Sequence, residues 1–186
     1  MLEGIDGAGK SVQTRALAAW LRERGEDVVV TREPTDGPFG RRYRSYARGE
    51  IELSPDEVLH CFVEDRREHV ANVVRPGLAR GAVVVCDRYV ASTLAYQAAQ
   101  GIDRDVLRSR LEAEGFPVPD RTLWLRLPVA TALARLGAAT SERFERADFL
   151  TRVDAEYARL GLVGIDASGE PEAVQAAIRS EVEPLL

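Results

Sequence analysis

Gly4-Ile5-Asp6-Gly7-Ala8-Gly9-Lys10-Ser11 decides how this 186-residue chain is read. The stretch fits G-x-x-x-x-G-K-[ST], in which a glycine-rich turn points backbone N–H groups at a phosphate and the next helix aims its N-terminus at the same anion. Lys10 is the only lysine, and every other one of the 25 Lys and Arg residues is arginine. A compact ammonium on a flexible stem can follow the β and γ phosphates of a nucleotide, whereas a rigid guanidinium fork would crowd the turn. The spacing assigns Gly4, Ile5, Asp6, Gly7, Ala8, Gly9, Lys10, Ser11 and Val12 to ATP, with the Ser11 hydroxyl a ligand for Mg2+.

Outward from the loop, helix and strand signals alternate. A helix runs from Val12 to Arg24, a strand covers Val28 to Thr31, and a helical segment spans about Phe39 to Arg48. Ser54-Pro55-Asp56-Glu57 is a capping signal for a long helix that Gly81 closes, with Val58, Leu59, Phe62, Val63, Val70, Val73 and Val74 on its apolar face. Ala82-Val83-Val84-Val85-Cys86 is apolar on both faces, as parallel strands covered by helices are. A strand at Thr122 to Leu127, helices at Val129 to Leu136 and Asp148 to Leu160, a strand at Leu162 to Asp166 and a helix from Pro171 complete the series. The alternation implies an α/β domain over residues 1–186: a central parallel sheet of about five strands covered by helices on both faces, with ligands beyond the strands' carboxyl ends. Asp87 follows the apolar run ending at Cys86, where a strand-end carboxylate helps Ser11 hold Mg2+. Only Met1, Leu2 and Glu3 precede the loop, fewer than the roughly five residues of an ordinary strand, so the native start is expected upstream or the end trimmed.

At 45% apolar residues the chain can bury a substantial core, and its net charge of −5 points to free nucleotides rather than nucleic-acid polymers or membrane surfaces. Cys61 and Cys86 lack metal-site spacing and lie in apolar surroundings, as buried reduced thiols do. With no leader-like segment and no long apolar run, a cytoplasmic protein is expected.

Thr31-Arg32-Glu33-Pro34, Phe62 with Asp65-Arg66, Asp87-Arg88-Tyr89 followed by Ser92-Thr93 and Ala95-Tyr96-Gln97, Pro119-Asp120, and Glu142-Arg143-Phe144-Glu145 resemble, in order and approximate spacing, the motifs of the thymidylate kinase family. The resemblance implies a P-loop kinase fold, transfer of a phosphate from ATP·Mg2+ to dTMP, and a homodimer formed through long helices such as the one after Ser54. It implies that Phe62 stacks on thymine, Arg66 donates to a thymine carbonyl, and Thr93 and Gln97 lie by the base. Arg88 and Arg44 would grip the acceptor phosphate, Glu33 and Pro34 would border it, and Tyr96 would fill the space beside C2′. Asp6 would face the acceptor sugar or the metal.

In this family the arginine that steadies the migrating phosphoryl group comes from the loop or from a lid. The loop has Gly7 and Ala8, so the lid at about 137–147 must supply it; Arg143 and Arg146 are the candidates, Arg135 is an outsider and Glu145 a polar contact. Leu136-Gly137-Ala138-Ala139-Thr140-Ser141 departs from the family pattern in having no basic residue, and Thr35-Asp36-Gly37 departs from the usual glycine-rich continuation. Asp166 to Glu170 resembles the adenine-side loop. Other assignments are a kinase of different base preference and an inactive ATP-binding relative. A GTPase would need a second lysine for its guanine-reading motif.

Overall fold

In the computed structural model, residues 1–137, 144 and 146–186 are described. Five parallel strands form one sheet in the order β2-β3-β1-β4-β5. These are β1 (Leu2–Glu3), β2 (Val28–Arg32), β3 (Val83–Asp87), β4 (Leu123–Arg126) and β5 (Val163–Asp166). The apolar run at Val83–Cys86 becomes β3, paired along its length with β2, while Leu2 of β1 sits opposite both Asp87 and Leu123. With β3 and β4 on either side of β1, the strand order reverses there, and the phosphate loop leaves β1 at the crevice where open α/β sheets bind ligands.

Helices cover the sheet in a three-layer arrangement. α1 (Lys10–Glu23) packs against the sheet and α9 (Pro171–Val182), while α5 (Val90–Ala99) packs against α3 (Pro55–His69), α6 (Arg104–Ala113) and α8 (Ala147–Arg159). The main core joins Leu2 and Ile5 to Leu21, Val85, Leu123, Leu125, Tyr157 and Ile178. Cys61 and Cys86 are buried free thiols.

α3 opens on the expected capping box: Glu57 N donates to Ser54 Oγ at 3.3 Å, and Ser54 N donates to Glu57 Oε2 at 2.9 Å. The expected single helix from Ser54 to Gly81 is not one α-helix. α3 ends at His69, a π-helical turn covers Val70–Val74, and α4 (Arg75–Ala79) follows. Pro76 accounts for the change, because it has no N–H for the Asn72 carbonyl and its ring crowds that oxygen, so the backbone widens to the longer π spacing. Two helices went unforeseen. α5 is apolar on most sides and shows little periodicity, whereas α6 carries a local signal, Asp103 accepting from Asp105 N and Val106 N ahead of buried Leu107 and Leu111.

α2 (Pro38–Ala47) lies hard against the β2–α2 connection. A Cβ on Gly40 would stand 2.0 Å from the Thr35 carbonyl oxygen and 2.9 Å from Asp65 Oδ1. Since the nearer obstacle is backbone, Gly40→Ala is expected to destabilise the fold by at least about 1–3 kcal/mol, read as a lower urea midpoint at unchanged slope. An unshifted midpoint would mean that α2 is not held there.

Candidate active site

The phosphate loop closes tightly. Gly7 has φ 83 and a Cβ there would lie 2.5 Å from the Ala132 carbonyl of α7 (Val129–Leu136), while Gly9, at φ 89, turns the chain into α1. Both positions demand glycine, one for space and one for the left-handed turn. Lys10 Nζ donates to the Ile5 carbonyl at 2.8 Å and lies 4.0 Å from Asp6 Oδ1. Ser11 Oγ donates to Asp87 Oδ2 at 2.5 Å, and the buried Asp87 Oδ1 has no hydrogen-bond partner.

The β3–α5 turn brings the second cation. Arg88 is the one non-glycine residue at positive φ among those described, at 71°, and its N–H continues the sheet by donating to the Leu2 carbonyl at 2.9 Å. Its Nη2 donates to Asp6 Oδ1 at 2.6 Å and to Tyr96 Oη at 3.1 Å, and its Nη1 donates to Ser92 Oγ at 3.0 Å. Tyr96 Oη in turn donates to Asp6 Oδ2 at 2.9 Å.

Beneath this turn lies Glu3, wholly buried, accepting from Tyr89 N at 2.7 Å, Tyr157 Oη at 3.1 Å and Ser92 Oγ. Ser92 Oγ and Tyr157 Oη are also 2.8 Å apart. Glu3, Ser92 and Tyr157 are not among the site residues expected from the sequence. An acid within an apolar strand is a usable signal, but nothing local in the sequence marks Tyr157, which arrives from α8.

The opposite wall comes from β2, α2 and α3. Glu33 accepts from Arg66 Nε at 2.8 Å and lies 2.8 Å from His69 Nδ1, and the Glu33–Pro34 peptide is cis. Arg66 Nη2 donates to Thr93 Oγ1 at 2.9 Å. Arg66 Nη1 and both polar atoms of the Gln97 amide are buried without a partner. Phe62 meets Tyr43, another residue that sequence analysis passed over, with ring centroids 4.4 Å apart.

These walls enclose a cleft of about 550 Å3. Of the expected site residues, Asp6, Gly7, Gly9, Lys10, Ser11, Val12, Glu33, Pro34, Arg44, Phe62, Asp87, Arg88 and Tyr96 line it. Gly4, Ile5, Ala8, Arg66, Thr93 and Gln97 are buried and are not among its lining residues. Arg135 of α7 reaches the cleft, whereas Arg146 is 77% exposed and faces Asp148 at 3.5 Å. Arg143 and Glu145 lie outside the described residues. In the stretch expected by resemblance to face the adenine, Asp166 Oδ1 accepts from Ser168 N at 2.9 Å, an Asx turn ahead of α9.

Several titrations in and around the cleft are displaced, those of Asp6 and Lys10 among them. Burial pushes the Asp6 carboxyl up, but the charges of Arg88 and Lys10 and the bonds from Arg88 and Tyr96 outweigh it and hold Asp6 far below the usual carboxylate range. Burial, reinforced by the Arg88 charge, lowers the Lys10 ammonium from 10.5 to about 8.

A phosphate-binding turn at the reversal point of a parallel sheet, its serine already against a strand-end carboxylate, defines a P-loop nucleotide-binding enzyme. The family model for thymidylate kinase matches residues 2–178, and the chain belongs to that family. It is 37% identical to a thymidylate kinase from Desulfotalea psychrophila over 193 aligned positions, covering 100% of this chain and 94% of the relative. A thymidylate kinase from Xanthomonas campestris is 44% identical over 93% of this chain and 77% of its own length. One from Akkermansia muciniphila is 42% identical over 96% and 88% respectively.

The Lys10 shift yields a signed expectation. Its pKa of about 8 without nucleotide lies below the unfolded value, so between about 8 and 10.5 the unfolded chain holds this proton more firmly and the empty fold gains stability as pH rises. A nucleotide phosphate on this loop would draw on the charged ammonium. ATP affinity should then be flat below pH 8 and weaken above it, by up to about tenfold per pH unit. Calorimetric titration of ATP from pH 7 to 10 checks this, and constant affinity to pH 9.5 contradicts it.

Proposed function

We propose that the protein transfers the γ-phosphate of ATP to dTMP, giving dTDP and ADP in dTTP synthesis. The observation that carries this is the meeting of two phosphate-gripping cations at one carboxylate: Lys10 Nζ stands 4.0 Å from Asp6 Oδ1 and Arg88 Nη2 stands 2.6 Å from the same atom. A donor phosphate on the loop and an acceptor phosphate on Arg88 would therefore be neighbours within one cleft. Little covalent chemistry is needed in such a transfer, which is governed by positioning and by neutralising charge.

The loop from Gly4 to Val12 cradles the ATP phosphates, with Lys10 following the β and γ groups. Arg88 and Arg44 hold the acceptor phosphate, the first fixed by Asp6 and the second carried on α2. Phe62 stacks on the thymine, Tyr96 fills the space beside C2′, and Glu33 and Pro34 close the wall. Arg66 Nη1 and the Gln97 amide supply unpaired polar groups for the base edge, while Thr93 and Glu33 orient Arg66. No covalent enzyme intermediate forms.

Mg2+ suits the residues present. Ser11 Oγ and the unpartnered Asp87 Oδ1 are hard oxygen donors, and among the described residues there is no group of three or more His, Cys, Asp or Glu side chains able to hold a metal ion. Such a pair fits an ion that takes its remaining ligands from water and substrate phosphates. When bound, the ion neutralises charge on the β and γ phosphates. The arginine that steadies the migrating group is Arg143, Arg146 or Arg135.

We further place this activity in a single domain spanning residues 1–186, in a cytoplasmic homodimer joined through long helices such as α3, with no polymer or membrane partner. No helix among the described residues is long and apolar enough to cross a membrane.

ADP release from ATP·Mg2+ with dTMP, beside dUMP, dCMP, ribo-TMP and AMP, tests the assignment. Strong preference for dTMP is expected; silence with every acceptor, in a folded sample that still binds ATP, overturns it. Arg88→Ala should lower kcat/KM by about 10²-fold or more with the ATP KM little changed, and chelation of Mg2+ should stop turnover.

A further inference from the structure

Beside the cleft, bonded to two arginines that line it, stands a carboxylate with no part in the scheme above. Asp36 lies between β2 and α2, in the Thr35-Asp36-Gly37 stretch that departs from the family's glycine-rich continuation. Its loop is firmly pinned. Thr35 donates from N to Asp65 Oδ2 at 2.7 Å and from Oγ1 to Asp65 Oδ1 at 2.6 Å, and Gly37 N donates to Thr35 Oγ1 at 3.0 Å. The close approach of Gly40 to the Thr35 carbonyl seats α2 on this loop, and Arg44, one helical turn beyond Gly40, lies on the same face.

From that seat, Arg44 Nη2 donates to Asp36 Oδ1 at 2.8 Å and Arg32 Nη2 donates to it at 3.3 Å. Arg44 Nη1 completes its engagement with the Pro34 carbonyl at 3.2 Å, and Arg41 donates to the Asp36 carbonyl. Arg32 and Arg44 both line the cleft. The Asp36 carboxylate itself is 78% exposed, and among the described residues its side-chain bonds go to arginine alone. Asp6 differs: it binds Arg88 and Tyr96 together and stands beside Lys10, so it belongs to the frame.

We propose that Asp36 is a built-in competitor of the acceptor phosphate, holding the Arg44 guanidinium until the substrate's phosphate takes it over. This rests on Arg44 gripping the acceptor phosphate, as proposed above. A phosphate monoester carries more charge and one more acceptor oxygen than a carboxylate, and guanidinium binds it in the same bidentate manner, so the exchange runs toward substrate. An exposed ion pair is weak. Displacing Asp36 therefore taxes acceptor affinity by no more than about two- to fivefold, a tuning of KM rather than a block.

Steady-state kinetics of wild type, Asp36→Asn, Arg44→Ala and the double variant form the test. Asp36→Asn should lower the dTMP KM about two- to fivefold and leave the ATP KM unchanged, a gain that loss of fold cannot imitate. Arg44→Ala should raise the dTMP KM, and the benefit of Asp36→Asn should vanish in its background. If Asp36→Asn leaves the dTMP KM unchanged or raises it while Arg44→Ala still raises it, Asp36 does not compete and the inference fails alone. If Arg44→Ala leaves the dTMP KM unchanged, the inference falls together with the role of Arg44. Absence of dTMP phosphorylation by the wild type would instead overturn the function itself.

Discussion

The buried carboxylate of Glu3 is the constraint on which the rest of the site depends. It occupies the last position of β1, immediately before the phosphate loop, and satisfies Tyr89 N, Ser92 Oγ and Tyr157 Oη. A polar group placed that deep is tolerable only when such hydrogen-bond donors satisfy it. They also tie the loop, the β3–α5 turn and α8 to one point. Arg88 is thereby kept at a left-handed backbone angle that a non-glycine residue rarely adopts, and its guanidinium is delivered to Asp6. The two residues of β1 hold this assembly because they are paired on both sides and continued by the Arg88 N–H to Leu2 O bond.

Charge is handled differently at the two ends of the cleft. At the loop, Lys10 is buried with a carbonyl as its hydrogen-bond partner, and Asp6, 4.0 Å away, with Asp87 and Glu3, only partly offsets the cost of that burial. On the opposite side of the cleft, Arg88 is engaged by Asp6, Arg32 and Arg44 by Asp36, and Arg66 by Glu33. Arginine can accept this and still serve, since its five donors allow one edge to be fixed while another remains available. Arg66 shows it directly, with Nε and Nη2 bonded and Nη1 left over.

What could be read in the sequence was what spacing encodes locally. The phosphate loop needs eight consecutive residues, the β3 run needs five, and the Ser54 capping box closes within one turn, so each was legible before folding. The α3–π–α4 break was in principle local too, but Pro76 acts on the carbonyl four residues earlier, and the regular valine spacing masked it. α5 lacked a polar face to announce it. Tyr157 is 154 residues from Glu3 in sequence, and only the packing of α8 on α5 brings them together. The Arg88–Asp6 contact, across 82 residues, is of the same kind. Family resemblance supplied candidate residues such as Arg66 and Thr93 without revealing that they bond to each other.

Lys10 has a further consequence, in amine chemistry. It carries the only side-chain amine in the molecule, and burial lowers its pKa, so the neutral, nucleophilic form is reached at lower pH than for an ordinary surface lysine. An acylating or aldehyde reagent small enough to enter the cleft therefore finds one reactive lysine rather than a surface covered with them. The many surface arginines keep the charge and solubility of a basic side chain while remaining inert to such reagents, so the protein is chemically quiet everywhere on its side-chain amines except at the point where a nucleotide would shield it.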